Sequence, residues 1–169
     1  MRRILAHPDF VPDVWADVTD APFQDLLDGL STDLAILELV RPVPETRIVP
    51  LKVSETAAFA GPVALFGYGA SGEDTLEAYP GCLMFFRDQN SVSMNCKAEH
   101  GVSGAPILGH FEGAWQVFGV VSVIRHAGFI GTMGPRATGA ILSDMRDIRP
   151  RETKAFNSGK RSGKTATKK

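Results

Sequence analysis

The residues best suited to chemistry lie in the segment Gly101–Leu108, where Ser103 is flanked by Gly101 and Gly104. A serine hydroxyl attacks a carbonyl group only when a base takes its proton and hydrogen-bond donors receive the oxyanion. The two glycines allow a turn tight enough for successive backbone N–H groups to converge on one point. The segment therefore predicts a nucleophile loop. The alternative is an ordinary tight turn, because Ser-Gly turns are common in β proteins.

Short apolar runs separated by glycine and proline favour a β-rich fold around this loop. The 169 residues include 17 glycines and 11 prolines, and 44% hydrophobic with 22% charged residues is a globular composition. Strand-like segments lie at 31–39, 62–69, 83–86, 91–94, 105–108, 115–124 and 129–134. The apolar spacing over 138–148 predicts an amphipathic helix, whereas residues 9–32 read mostly as loop, with a short helical turn at 23–30. The pattern predicts a barrel or sandwich with a terminal helix.

Several fragments, in order from residue 4 to about 148, resemble trypsin-like (chymotrypsin-fold) serine proteases of the bacterial type. The fragments that carry the resemblance are His7-Pro8, Thr32–Leu37, Phe66–Gly69, Gly101–Pro106, Gly119–Ser122 and the helix at 138–148. The resemblance implies an all-β, chymotrypsin-like double β-barrel with a complete second barrel, a partial first barrel and a C-terminal helix. It divides the chain into a partial first barrel and connector (1–50), a second barrel with its helix (51–150) and a basic disordered tail (151–169).

The resemblance also assigns roles to single residues. Ser103 would be the catalytic nucleophile, and Asp33 would orient and stabilise a histidine imidazolium. The backbone N–H groups of Gly101 and Ser103 would form the oxyanion hole. Ser122 would line the substrate-binding site and hydrogen-bond the aspartate. On the residues alone, Asp33 could equally begin a strand or cap an element, and Ser122 could be a plain strand serine.

A base for Ser103 is the feature that the sequence does not supply. In the family the catalytic histidine lies upstream of the aspartate in an Ala-Ala-His-Cys-type motif, and none of His7, His100, His110 and His126 stands in such a context. His100 is three residues from Ser103, but such close neighbours on a tight loop seldom point at each other. The resemblance therefore implies a serine endopeptidase for peptide or protein substrates that is truncated and inactive as sequenced. The alternative is a protease-like binding module without catalysis.

The segment after Ser103 excludes the nucleophile elbow of α/β-hydrolases. There the second glycine comes two residues after the serine and a helix follows, whereas here Gly104 follows directly and Pro106 begins a strand-like run.

If the protease interpretation is correct, Asp33 and Ser103 face each other across a gap that fits an imidazole ring.

Cys82 and Cys96 are either two buried thiols or a disulfide that closes a loop of about 15 residues. The resemblance implies the disulfide, and with it a secreted or periplasmic full-length protein, although Pro8 and Asp9 interrupt any signal peptide at this N-terminus. No cofactor or metal site is predicted, since the His and Cys spacing matches no ligand pattern.

The charge is unevenly distributed along the chain. Residues 151–169 contain seven Lys and Arg against one acidic residue, which predicts a solvated, disordered tail. Nucleic-acid binding by this tail is not expected, because Phe156 is its only aromatic residue. No apolar run approaches the ~20 residues of a membrane span.

Overall fold

A computed structural model of the chain describes residues 1–11, 23–44, 46, 48–56, 60–69, 75–86, 90–96, 98–125 and 131–147. Ten strands and two helices lie within these ranges, and the helices are α1 (Phe23–Thr32) and α2 (Gly139–Asp147). The strands are β1 (Arg3–Ala6), β2 (Ala35–Glu38), β3 (Lys52–Val53), β4 (Gly61–Tyr68), β5 (Leu76–Phe86), β6 (Ser91–Met94), β7 (Pro106–Phe111), β8 (Ala114–Val120), β9 (Val123–Arg125) and β10 (Gly131–Pro135).

Eight strands form one sheet in the order β3-β8-β7-β4-β5-β6-β10-β9. Every pairing is antiparallel except the two-residue pairing of β3 with β8. The sheet curls into a half-barrel, and a bridge between Gly119 and Arg136 connects β8 with the end of β10. The predicted β-rich fold with a C-terminal helix is confirmed at this level, whereas a chymotrypsin-like double barrel stays a prediction.

Two glycines allow β8 and β10 to approach across the curl. A Cβ atom at Gly119 would lie 2.5 Å from the carbonyl oxygen of Pro135, and one at Gly134 would overlap the carbonyl oxygen of Val120. Real Cβ atoms do not come this close to backbone atoms. The close approach of these two strands therefore requires residues without side chains.

The core is one cluster of buried side chains, most of them from the strands of the curled sheet. Its fully buried members include Leu65, Met84, Val92, Ile107 and Phe118. Predicted hairpins pair as expected: β5 with β6, and β7 with β8. β5 is far longer than the predicted four-residue strand at 83–86, because its first half pairs with β4.

The disulfide between Cys82 and Cys96 ties β5 to the segment that follows β6. The two Cα atoms are 5.2 Å apart, within the bonding reach expected from the sequence. Close to the disulfide, the Tyr79 hydroxyl donates a hydrogen bond to Glu77 Oε2 at 2.5 Å. This bond to a carboxylate, followed by burial, raises the pKa of Tyr79 to about 12.

The remaining two strands form a separate antiparallel ribbon. β1 pairs with β2 so that Ile4 lies opposite Leu37, and both side chains are exposed. Arg2 and Arg3 form ion pairs with Glu38 at 3.1 and 2.8 Å on the ribbon. These surface pairs contribute little stability.

Helix α1 lies where a short helical turn was predicted at 23–30, and it continues to Thr32. The strand expected from residue 31 is corrected, because β2 begins only at Ala35. The hydroxyl of Ser31 donates to the Asp28 carbonyl and that of Thr32 to the Gly29 carbonyl, so both side chains are hydrogen-bonded within the last turn. The helix is held by tertiary packing, since Leu27 and Leu30 bury against Met133 of β10.

Helix α2 lies where the apolar spacing predicted it. Its N-terminus is capped twice: Thr138 Oγ1 accepts a hydrogen bond from the Ile141 N–H, and Glu55 Oε1 accepts one from the Gly139 N–H at 2.7 Å. The adjacent Arg136 donates to the Thr56 carbonyl, and burial lowers its pKa. The predicted disordered tail (151–169) lies outside the described residues. No helix among the described residues has the length and apolar character needed to cross a membrane.

Candidate active site

The Ser103 loop runs between β6 and β7 as two consecutive tight turns. The Val102 N–H donates to the Glu99 carbonyl at 3.4 Å, and the Ala105 N–H donates to the Val102 carbonyl at 3.0 Å. Gly101 and Gly104 have φ values of 97° and 86°, a region that residues with a Cβ rarely adopt. The positive φ values therefore explain why glycine occupies both positions, and the tight turn is the one that the sequence pattern predicted.

Val102 anchors this loop in the core while Ser103 faces solvent. The Val102 side chain is 1% exposed and packs against β4, where a Cβ at Gly67 would lie 3.1 Å from Val102 Cγ1. Ser103 is exposed on the opposite side. The hydroxyl is thus presented to solvent by a loop whose neighbouring residue is fixed.

The segment Val121–Ser122 interrupts what the sequence predicted as a continuous strand over 115–124. The Gly104 N–H donates to the Val121 carbonyl at 2.8 Å, and the Val121 N–H donates to the Ala105 carbonyl at 2.9 Å. The Ser122 N–H turns instead to the Met133 carbonyl of β10 at 3.0 Å. The strand breaks because its backbone changes partners here, from the Ser103 loop to β10.

Ser122 connects the two side chains expected to form a catalytic pair. Its hydroxyl donates to Asp33 Oδ2 at 2.5 Å, and its backbone carbonyl accepts a hydrogen bond from Ser103 Oγ at 3.2 Å. One residue therefore contacts the carboxylate and the candidate nucleophile at once. The hydrogen bond from Ser122 to the aspartate is the contact that the family resemblance implied.

Asp33 occupies the junction between α1 and β2. Its N–H donates to the Leu30 carbonyl at 3.2 Å, and the following Leu34 is buried. The helix end and the buried leucine fix the backbone on both sides of the aspartate. Its carboxylate can then reach across to Ser122, 89 residues later in the chain.

Asp33, Ser122 and Ser103 line one cavity of about 440 Å³. Apolar side chains complete its wall, among them Leu34, Leu37 and Val120. This volume lies in the range of roughly 300–1,000 Å³ that is typical of ligand sites. The structure brings the side chains of Asp33, Ser103 and Ser122 to one cavity that apolar residues also line. Sequence reasoning did not identify Leu34 and Leu37, because their apolar character alone marks them only as strand residues.

Two backbone N–H groups of the loop remain available to a ligand. Val102, Gly104 and Ala105 use their N–H groups within the fold, whereas among the described residues those of Gly101 and Ser103 donate to no acceptor. These two are the groups predicted to form the oxyanion hole. Such N–H groups stabilise negative charge on an oxygen that lies close to both.

No described histidine lines the cavity. His7 follows β1, where its N–H donates to the Leu34 carbonyl at 2.9 Å and its Nδ1 accepts from the Asp9 N–H. His100 is exposed at the turn before Gly101, and His110 packs edge-on against Trp115 on the outer surface. His126 lies outside the described residues. In the described part of the chain, no three His, Cys, Asp or Glu side chains gather as a metal site would require.

Comparison with known proteins adds nothing to these geometric findings. No protein-family model matches the chain, and no curated protein sequence matches it. The resemblance to trypsin-like proteases therefore rests on this chain's own residues.

Proposed function

We propose that this chain carries the acid and the nucleophile of a trypsin-like serine endopeptidase site. The observation that carries the proposal is the hydrogen-bonded series Asp33–Ser122–Ser103 around one cavity. The N–H groups of Gly101 and Ser103, which donate to no acceptor within the described part of the chain, support it, because acyl transfer needs donors for the oxyanion.

In the proposed mechanism an imidazole occupies the cavity between Asp33 and Ser103. It takes the proton from Ser103 Oγ as the oxygen attacks the peptide carbonyl, and it then gives that proton to the leaving amine. Asp33 accepts the hydrogen bond from the other ring nitrogen and stabilises the imidazolium. Ser122 fixes the carboxylate in the orientation that this bond requires. Water completes the cycle by hydrolysing the ester on Ser103.

The chain by itself is proposed to be inactive, because the described residues place no imidazole in the cavity. A missing triad member reduces turnover by several orders of magnitude. The Cys82–Cys96 disulfide is compatible with a secreted or periplasmic protein, and we propose such an oxidising compartment for it.

Free imidazole provides the test, since it can enter a cavity of this size. The chain is incubated with a fluorophosphonate, with and without imidazole, and phosphonylation of Ser103 is followed by intact mass and peptide mapping. A positioned general base contributes about 10²–10⁴-fold, so an untethered one is expected to accelerate labelling about tenfold. Ser103→Ala reports non-specific labelling, and Asp33→Asn is expected to abolish the acceleration.

The matched control is Asp144→Asn, which neutralises an exposed carboxylate on α2 away from the cavity. It is expected to retain the full effect of imidazole. Equal acceleration in the wild type and in Asp33→Asn, or labelling confined to other residues, would refute the proposal.

One observation favours the second candidate, a protease-like binding module. The Ser103 hydroxyl donates to the Ser122 carbonyl, so its proton is directed into the fold and away from a base. If this is the functional state, Ser103→Ala leaves peptide affinity unchanged and imidazole produces no labelling at any concentration.

A further inference from the structure

The end of strand β4 forms an aromatic surface beside the Ser103 loop. Phe66 and Tyr68 are 38% and 58% exposed, and Gly67 between them is buried. Because side chains alternate along a strand, the two aromatic rings lie on the same face. We call Phe66 and Tyr68 the aromatic shelf.

The shelf is fixed relative to the catalytic loop. A Cβ at Gly67 would lie 3.1 Å from Val102 Cγ1 and 3.2 Å from Ala105 Cβ, so the strand packs directly on the loop. On the far side β4 pairs with β5, in a register that sets Phe66 opposite Ala78 and Tyr68 opposite Leu76. The backbone that carries the shelf is therefore held in place on the loop side and on the β5 side.

A second cavity of about 330 Å³ opens over the shelf. Phe66, Tyr68 and Pro106 contribute its apolar wall, and the loop backbone from Gly101 to Gly104 contributes the rest. No charged side chain lines it in the described part of the chain. Ser103 lines this cavity as well as the first, so a chain bound across the serine meets both.

We propose that the aromatic shelf is a specificity site, which selects an aromatic or large aliphatic side chain close to the peptide bond that Ser103 attacks. This inference rests on the proposed function, which makes the ligand a peptide substrate. Such a side chain gains apolar contact area and ring stacking on the shelf. The site therefore discriminates by the apolar area that a side chain can place against the two rings.

Binding to Ser103→Ala tests the shelf without depending on catalysis. Two fluorescein-labelled, end-blocked octapeptides are compared by anisotropy; they differ only in a central Phe or Ala. The Phe peptide is expected to bind at least fivefold more tightly. Tyr68→Ser and Phe66→Ser are expected to remove that preference, and Tyr68→Phe to retain it.

Leu83→Ser is the matched control, because Leu83 is an equally exposed apolar strand residue on β5 outside the cavity. It is expected to leave both dissociation constants unchanged. Equal affinity for the two peptides would overturn the inference, as would a Phe preference that survives both shelf substitutions. A Phe preference that depends on the shelf, together with no imidazole-assisted labelling, would support the shelf and refute the peptidase. Labelling without shelf dependence would support the peptidase and refute the shelf.

Discussion

The hydrogen bond between Ser122 and Asp33 can be measured directly as an interaction energy. The bond joins the ribbon side of the molecule to the curled sheet, and its O···O distance is 2.5 Å. The test is a double-mutant cycle of Ser122→Ala, Asp33→Ala and the double variant. In such a cycle the coupling term isolates the pair from the other effects of each substitution.

The expected coupling follows from the chemistry of the pair and its exposure. A hydrogen bond to a charged group contributes about 1.5–3 kcal/mol to stability. Both side chains are only half-buried, so water replaces part of the bond when one partner is removed. We therefore expect a coupling free energy of about 1 kcal/mol, and a loss of about 1–2 kcal/mol for Ser122→Ala alone.

Urea unfolding, followed by circular dichroism, gives the four free energies of unfolding. The control cycle combines Ser122→Ala with Asp144→Ala on α2, which is expected to be additive within about 0.3–0.5 kcal/mol. If the Asp33 cycle is additive to the same extent, the bond does not hold the site together in solution. The proposed peptidase site would then lack the contact that orients its carboxylate.

Three further predictions concern the surroundings of the site. Tyr79 is expected to give a phenolate absorbance step at 295 nm near pH 12 that is absent in Tyr79→Phe. The folded protein keeps this proton to a higher pH than the unfolded chain does. The free energy of unfolding should therefore fall as the pH rises from about 10 to about 12. Replacing Cys82 and Cys96 by Ala is expected to lower the free energy of unfolding by about 3 kcal/mol, as should reduction of the wild type with dithiothreitol. Gly67→Ala is expected to lower it by about 1–3 kcal/mol through overpacking, with a smaller loss in a Val102→Ala background.

Each of these three predictions has an outcome that would contradict it. If Tyr79→Phe loses its absorbance step near pH 10 and not near pH 12, the carboxylate of Glu77 does not hold the phenol proton. Identical denaturant midpoints with and without dithiothreitol would mean that the disulfide does not restrict the unfolded chain. A Gly67→Ala loss that is the same in both backgrounds would mean that Val102 does not receive the added methyl group.

Much of the curled sheet could be predicted from local patterns. Alternating apolar residues and short turns located the hairpins β5–β6 and β7–β8, and apolar spacing located α2. The glycines at 101 and 104 indicated a tight loop, because glycine is the residue that most readily adopts positive φ values. These features depend on near neighbours in sequence.

The features that the sequence did not reveal depend on distant partners. Helix α1 extends through Thr32 because Leu30 packs on Met133, a contact about 100 residues away along the chain. The strand breaks at Val121–Ser122 because the backbone hydrogen-bonds to the Ser103 loop at Val121 and to β10 at Ser122. Local propensity carries no signal for either, and without the break Ser122 would not reach both Asp33 and Ser103.

The division into a two-stranded ribbon and a curled sheet has a consequence for how the site responds to fluctuations. Asp33 belongs with the ribbon and α1, whereas Ser103 and its loop belong with the sheet. A short ribbon with two exposed edges is a weaker cooperative unit than a sheet with a continuous core. Sub-global opening of the ribbon together with α1, which requires Leu27 and Leu30 to leave Met133, would separate the carboxylate from Ser122 while the serine loop stayed formed. The amides of β1 and β2 would then lose hydrogen-exchange protection first, and the lifetime of the assembled site would be set by that opening and not by the stability of the whole chain.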